Sequence, residues 1–374
     1  MRYSKVAIAL TVIFVLTATL ATTEIPNSAF RIPNSASLPI YEQWESFTTE
    51  DGLLDDHAYW VKVDKINDCV WAGTDNGLAC YQEGKWRVYT PKDGLAHQAV
   101  MCVDVDGETG DVWVATFGGL SRFSAGRFQT YTQFNSGLAN DVLYGVAVCG
   151  DSIWVATTAG ASQFSKKTGA WQVYDSQNAP MDENWCYNVS GGEGKVFFAV
   201  WGGGFLEYDV ATDHWQAYQD PDGEFEIDLF RDDGPVHNIT TGVSYANGIL
   251  WGSTYFGLST YNFRRWRNYN QYDSALASDF INVVRSQPGT RNGWSCTDKG
   301  LSMLNYDTEQ WVNYTPEGIK IYKGKDLLET RKCQTIAHQF VYGVDWEGDN
   351  VVWVATSHGI SRGVRKSVAL GLAQ

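Results

Sequence analysis

Residues 112–116 read Val112-Trp113-Val114-Ala115-Thr116, and Gly119-Leu120-Ser121-Arg122-Phe123 and Phe128-Gln129-Thr130-Tyr131 follow. The first of these segments is apolar at consecutive positions. A strand with one face in water alternates apolar and polar residues, so this one must be covered on both faces. The Gly before Leu120 suits a tight hairpin, and Phe128 and Tyr131 end the unit on an aromatic-x-x-Tyr spacing. Residues three apart on a strand face opposite sides, so that last strand offers one ring to each flank.

The unit repeats along the chain. Its second-strand centres are Trp71, Trp113, Trp154, Phe198, Trp251, Trp294 and Trp353, with gaps of 42, 41, 44, 53, 43 and 59 residues. Its aromatic pairs are Trp44–Phe47, Trp86–Tyr89, Phe128–Tyr131, Trp171–Tyr174, Trp215–Tyr218, Trp266–Tyr269 and Trp311–Tyr314. A period of 40–45 residues with four strands per unit is that of a β-propeller. The two series are out of phase: the first aromatic pair precedes every second strand, and the last second strand has no pair after it. This predicts an all-β, seven-bladed propeller of four-stranded antiparallel blades, closed by an N-terminal strand (41–48) that completes the last blade. Closure removes free sheet edges. The recurring Gly77, Gly119, Gly160, Gly204, Gly257, Gly300 and Gly359 are expected in turns that need positive φ.

The ends read differently. Arg2 and Lys5 precede an apolar run at 6–20, and Thr19-Leu20-Ala21 forms a cleavage site. A signal peptide over 1–21 is expected, since the run is short for a membrane span. A polar linker at 22–40, the propeller at 41–366 and a short tail at 367–374 complete the expected organisation. Export to the periplasm, the cell surface or the medium follows, with no stable membrane anchor after cleavage. The net charge is −15, and losing Arg2 and Lys5 with the signal would take it to −17. So acidic a protein excludes nucleic acid and anionic membrane as partners. The seven Cys include no C-x-x-C pair; Cys102, Cys186 and Cys296 fall in expected strands as small buried thiols. The sequence shows no cofactor motif.

The run Val112-Trp113-Val114-Ala115-Thr116 … Gly119-Leu120-Ser121-Arg122-Phe123 … Tyr131 … Gly137-Leu138 resembles the two-component regulator propeller repeat, over about residues 41–365. That resemblance implies a seven-bladed sensor head of the kind found in periplasmic parts of hybrid histidine kinases. It differs in ending at Gln374, without the second propeller, membrane span and kinase usual there, so a stand-alone head is expected.

In such a ring the loop entering each inner strand and the turn between strands two and three share one face. The entry loops carry Asp56-His57, His97-Gln98, Asn140-Asp141, Glu183-Asn184, His237-Asn238, Ser278-Asp279 and His338-Gln339. Two readings stand side by side. Either each polar residue hydrogen-bonds a neighbouring blade's backbone at the loop, or His97, His237 and His338 join a metal or acid–base set. The turns carry Phe117, Trp201, Tyr255, Phe256 and His358, and exposed rings there suit stacking on a sugar or a protein side chain. Trp201 is read as standing where other blades have Thr. Two long segments, acidic 219–238 and basic 315–339, are expected as loops on that same face. Asp220, Asp222 and Glu224 give a weak calcium match, weakened by Tyr218 and Leu229 at the first and twelfth ligand positions. Sequons occur at Asn188, Asn238 and Asn313.

The leading functional expectation is an exported recognition module that binds a protein or glycan on the loop face. The alternatives are a lyase or hydrolase using a His/metal site there, as the similar propeller lyases do, and an accessory subunit of a cell-surface complex. No catalytic motif marks the chain as an enzyme.

Overall fold

The structure is a computed structural model that describes residues 38–221 and 232–365. The signal, most of the linker, Asp222, Glu224 and the C-terminal tail lie outside the described residues.

Seven antiparallel sheets form the ring. Blade 1 runs Ala58–Asp64, Cys69–Thr74, Gly77–Gln82 and Lys85–Tyr89, and blades 2 to 6 repeat this order from inner strands Val100–Val105, Leu143–Cys149, Cys186–Gly192, Thr240–Ala246 and Ile281–Ser286. Blade 7 has Val341–Glu347, Val351–Thr356 and Gly359–Arg365, and Tyr41–Phe47 pairs with the last of these. The ring is thus closed by the N-terminal strand. Trp44 lies over Gly363, where a Cβ would stand 2.7 Å from the indole, and Phe47 stacks on Trp353 at 5.8 Å.

Packing follows from the second strands. Trp71, Trp113, Trp154, Phe198, Trp251, Trp294 and Trp353 are all at most 3% exposed. Most sit between two blades, with rings of their own and the next blade around them: Trp154 meets both Tyr174 (5.5 Å) and Tyr208 (5.0 Å), whereas Phe198 meets Trp154 of the preceding blade (5.9 Å). Burial of rings this size is the main stabilising term of each blade contact. Side chains then stitch the inner strands together. Asp104 accepts a hydrogen bond from Val148 N–H, Asp345 from Val63 N–H (both 2.8 Å), and Ser244 Oγ from Ser286 N–H (2.9 Å).

The hairpin Gly is required twice over. At Gly119 φ is 120°, and a Cβ would stand 2.5 Å from Tyr131 O. In six blades the Thr that ends the second strand donates to this Gly carbonyl, as Thr116 does to Gly119 O at 2.6 Å. In blade 4 the register pairs Val200 with Gly204, so Val200 takes the Thr position and Trp201 does not; the turn is one residue longer. Thr240 of blade 5 supplies the missing hydroxyl, donating to Val200 O and Gly204 O.

The basic segment 315–339 is not a loop on the entry face. Gly318–Lys323 and Asp326–Lys332 form a hairpin that extends blade 6 to six strands at its outer edge. The alternation in Gly318-Ile319-Lys320-Ile321 buries Ile319 and Ile321 and leaves Lys320 in water, which favours a strand. Arg331 of this hairpin bonds Glu42 at the start of the closing strand. The described part of the acidic segment lies along blade 5, where Asp232 accepts from Asn268 N–H at 2.8 Å.

Candidate functional site

The entry loops and second hairpin turns do share one face: Phe117 N–H donates to Ala99 O and Trp201 N–H to Trp185 O. The polar pairs of the entry loops hold backbone. His97 Nδ1 accepts from Ala99 N–H (3.0 Å), His237 Nδ1 from Ile239 N–H (2.9 Å) and His338 Nδ1 from Phe340 N–H (3.1 Å). Asp55, Asn140 and Ser278 do the same two residues on. The second residue of the pair ties down the preceding loop. Asp56, Asp141, Asn184, Asn238 and Asp279 each accept one of its N–H groups at 2.6–2.8 Å. An accepting Nδ1 marks a neutral imidazole in a turn. His237 is 7% exposed and stacks on Phe256 at 4.0 Å, so Phe256 faces a loop and not the channel. His338 also meets Ser357 Oγ at 2.8 Å, and His358 lies 6.2 Å from it, ring to ring. Among the described residues no group of three or more His, Cys, Asp or Glu is arranged to hold a metal ion. Asp220 is buried at 4% exposure, its N–H bonded to Asn238; its calcium partners Asp222 and Glu224 lie outside the described residues. Asn188 and Asn313 are buried strand residues, which leaves those sequons inside the fold.

What gathers at the channel mouth is aromatic. Phe117 meets Tyr144 (5.4 Å), and Tyr144 stacks on Tyr187 (4.7 Å). Trp185 and Trp201 lie 5.7 Å apart at 30°, Trp201 meets Tyr255 edge-on (5.3 Å), and Tyr255 stacks on Phe280 at 3.9 Å and 6°. Phe280, Phe340 and Tyr342 continue the series to His57 and Tyr59. This belt runs from blade 2 through blades 3 to 7 to blade 1. Trp185 is 37% exposed, which makes it the large apolar side chain offered to solvent at the rim.

A backbone device sets the ring below the rim. Every inner strand carries a register shift after its first residue, and the residue skipped is Tyr59, Met101, Tyr144, Tyr187, Thr241, Asn282 or Tyr342. A bulge frees one residue from the ladder and re-aims its side chain. Here all seven line one cavity of about 100 Å³ at the mouth of the channel. Burial pushes the phenols of Tyr59, Tyr144, Tyr187 and Tyr342 above their ordinary range. Tyr59 also donates to Asp75 at 2.9 Å, and Asp75 pairs with His57 at 3.0 Å. Trp60 lines this cavity and a second one below it; that lower cavity holds Lys62 paired with Asp104 (2.8 Å) and Arg285 paired with Asp345 (3.8 Å).

Of the residues singled out from sequence, Phe117, Trp201 and Tyr255 are brought into one belt. Phe256, His97, His237, His338 and His358 serve loops or lie outside it. Sequence reasoning missed Trp185, Phe280, Phe340 and the channel tyrosines. A Tyr at the second position of four inner strands was the available signal.

The fold is a seven-bladed β-propeller with an aromatic belt at one mouth of its channel. Neither a protein-family model nor a curated protein sequence matches the chain. Solved structures do. It is similar to the extracellular domain of the hybrid two-component system BT3049 from B. thetaiotaomicron, with 16% identity and a TM-score of 0.66, over 87% of this chain and 42% of that one. The extracellular domain of the system BT4673 from B. thetaiotaomicron gives 15% and 0.65, over 87% and 40%. Virginiamycin B lyase from Staphylococcus aureus gives 15% and 0.58, over 87% and 99%. The chain thus spans about two-fifths of those extracellular domains. At these identities the likeness is one of fold. The described residues contain no helix long and apolar enough to cross a membrane.

Proposed function

We propose that this chain is an exported recognition module that binds a glycan on the loop face, in the manner of a sensor head. The observation that carries the reading is the belt centred on Trp185 and Trp201. Two large rings lie 5.7 Å apart at 30° at a rim, one open to solvent, with the Tyr187 ring 5.6 Å from Trp201. Sugar rings present C–H faces to such platforms and hydroxyls to the polar groups around them. The likeness to extracellular sensor domains supports an extracellular or periplasmic setting.

The test is a glycan array probed with the wild-type chain, with Trp185→Ala and with Trp201→Ala, beside a pull-down of cell-surface proteins. Glycan signal that both substitutions abolish, with melting unchanged, supports the reading. Capture of a protein with a silent array would replace it with protein recognition. Stoichiometric metal in the purified protein, lost on His97→Ala, would move it to the lyase alternative.

A further inference from the structure

We propose that the channel cavity beneath the rim is a cage for a quaternary or methylated ammonium group, formed by Tyr59, Tyr144, Tyr187 and Tyr342. The inference rests on the same face as the recognition site but concerns its floor. The four tyrosines come as two pairs. Tyr144 and Tyr187, on blades 3 and 4, stack at 4.7 Å; Tyr342 and Tyr59, on blades 7 and 1, meet edge-on at 5.4 Å. In ring order these pairs lie on opposite sides of the channel, and both line the one cavity. Met101, Thr241 and Asn282 fill the remaining wall. No Lys, Arg or His lines the cavity.

Aromatic faces attract cations through their quadrupole, most strongly where water is excluded. A neutral phenol ring presents a negative face to a cation. The Asp75 carboxylate at the rim adds negative charge through its bond to Tyr59. Lys62 and Arg285 lie in the lower cavity, each paired with an aspartate, and the Arg285 guanidinium sits 5.0 Å over the Trp60 ring in the wall between. His57 packs on Tyr59 (4.5 Å) and Tyr342 (4.9 Å) with its Nδ1 paired to Asp75, so the titration is run where an ordinary imidazole is neutral. At about 100 Å³ the cavity has room for roughly three waters or one compact group, too little for an oligosaccharide. The net charge of −15 favours the approach of a cation.

Calorimetric titration of the full chain with choline at about pH 8, where an ordinary imidazole is neutral, tests this. The uncharged isostere of choline, with carbon in place of nitrogen, is the comparison. Choline is expected to bind at least about tenfold more tightly than the isostere. Tyr342→Leu should weaken choline by about tenfold, while Tyr342→Phe, which keeps the ring, should bind as wild type. Equal binding of choline and isostere would overturn the cage, as would equal loss in the Phe and Leu variants or no choline heat up to about 10 mM. Thermal melting of each variant separates misfolding from lost binding. Glycan signal lost in Trp201→Ala and kept in Tyr342→Leu, with no choline binding, would leave the rim reading standing and remove only the cage.

Discussion

Replacing Tyr314 with Phe tests how the ring is held shut. The phenol oxygen accepts from Tyr41 N–H at 3.2 Å and donates to Pro39 O at 3.2 Å, at the entrance of the closing strand. Pro39 and Tyr41 are buried, so water cannot replace the lost oxygen. Phe keeps the ring, its stacking on Trp294 at 5.8 Å and its contact with Trp44 at 5.5 Å. The substitution therefore subtracts one atom and leaves two buried backbone groups unpaired. At about 1–3 kcal/mol for each such group, partly relaxed, the expected loss is about 2–4 kcal/mol. Urea unfolding at neutral pH reads this, with Tyr322→Phe as control. Tyr322 is half-buried and its hydroxyl makes no hydrogen bond among the described residues, so its variant should lie within about 0.5 kcal/mol of wild type. Limited chymotrypsin digestion should open the variant at Trp44 and Phe47, since the strand that carries them is now less firmly seated. A loss under about 0.5 kcal/mol with that strand still protected would refute the claim that this hydroxyl secures closure.

Gly119→Ala should cost about 2–4 kcal/mol by thermal melting, because it meets both a positive φ and a carbonyl 2.5 Å away. Gly126→Ala, at φ 76° in open space, should cost about 1 kcal/mol. Stability should fall as pH rises through about 10, the phenol value of the unfolded chain. Burial raises Tyr41, Tyr187 and Tyr314 in the fold, so above that pH the unfolded chain releases protons that the native state still holds. Unfolding midpoints between about pH 9 and 11 check this, and a flat profile would contradict it. Phe256→Ala should lower the melting temperature through lost stacking on His237 yet leave glycan binding intact, which an array read beside a melt would show.

Much of the ring is legible in the chain because its cause is side-chain chemistry. Trp113 and its equivalents must be buried on both faces, and only stacked blades do that. The phase of Trp44–Phe47 against Trp353 points to closure through the N-terminal strand, and Tyr41–Phe47 pairs there. The polar entry loops were visible too, but His97, His237 and His338 bond backbone two residues on in their own loops, where bonds to a neighbouring blade were expected. What stayed hidden has backbone causes. The bulge that turns Tyr59, Tyr144, Tyr187 and Tyr342 into the channel has no residue signature, since Met101, Thr241 and Asn282 occupy it equally well. The period-two pattern of Gly318-Ile319-Lys320-Ile321 was present, but the count of Lys and Arg nearby drew the segment toward a solvated loop. Trp201 was placed one step off because a Thr was sought where Val200 stands.

The repeated bulge carries a consequence for how such a protein can change. The skipped residue stands outside the pairing register of its inner strand, so the ladder on either side forms whatever side chain occupies it. The positions are not equal in what they hold: Thr241 donates to Ile281 O (2.6 Å) and Asn282 to Val341 O (2.7 Å), bonds to the next inner strand, while Met101 and Tyr144 make no such bond among the described residues and can be exchanged at less cost to the ring. This chain already samples four residue types across those seven sockets. The scaffold and its binding vocabulary are separable, and a library randomised only at the bulges should yield folded proteins of altered taste.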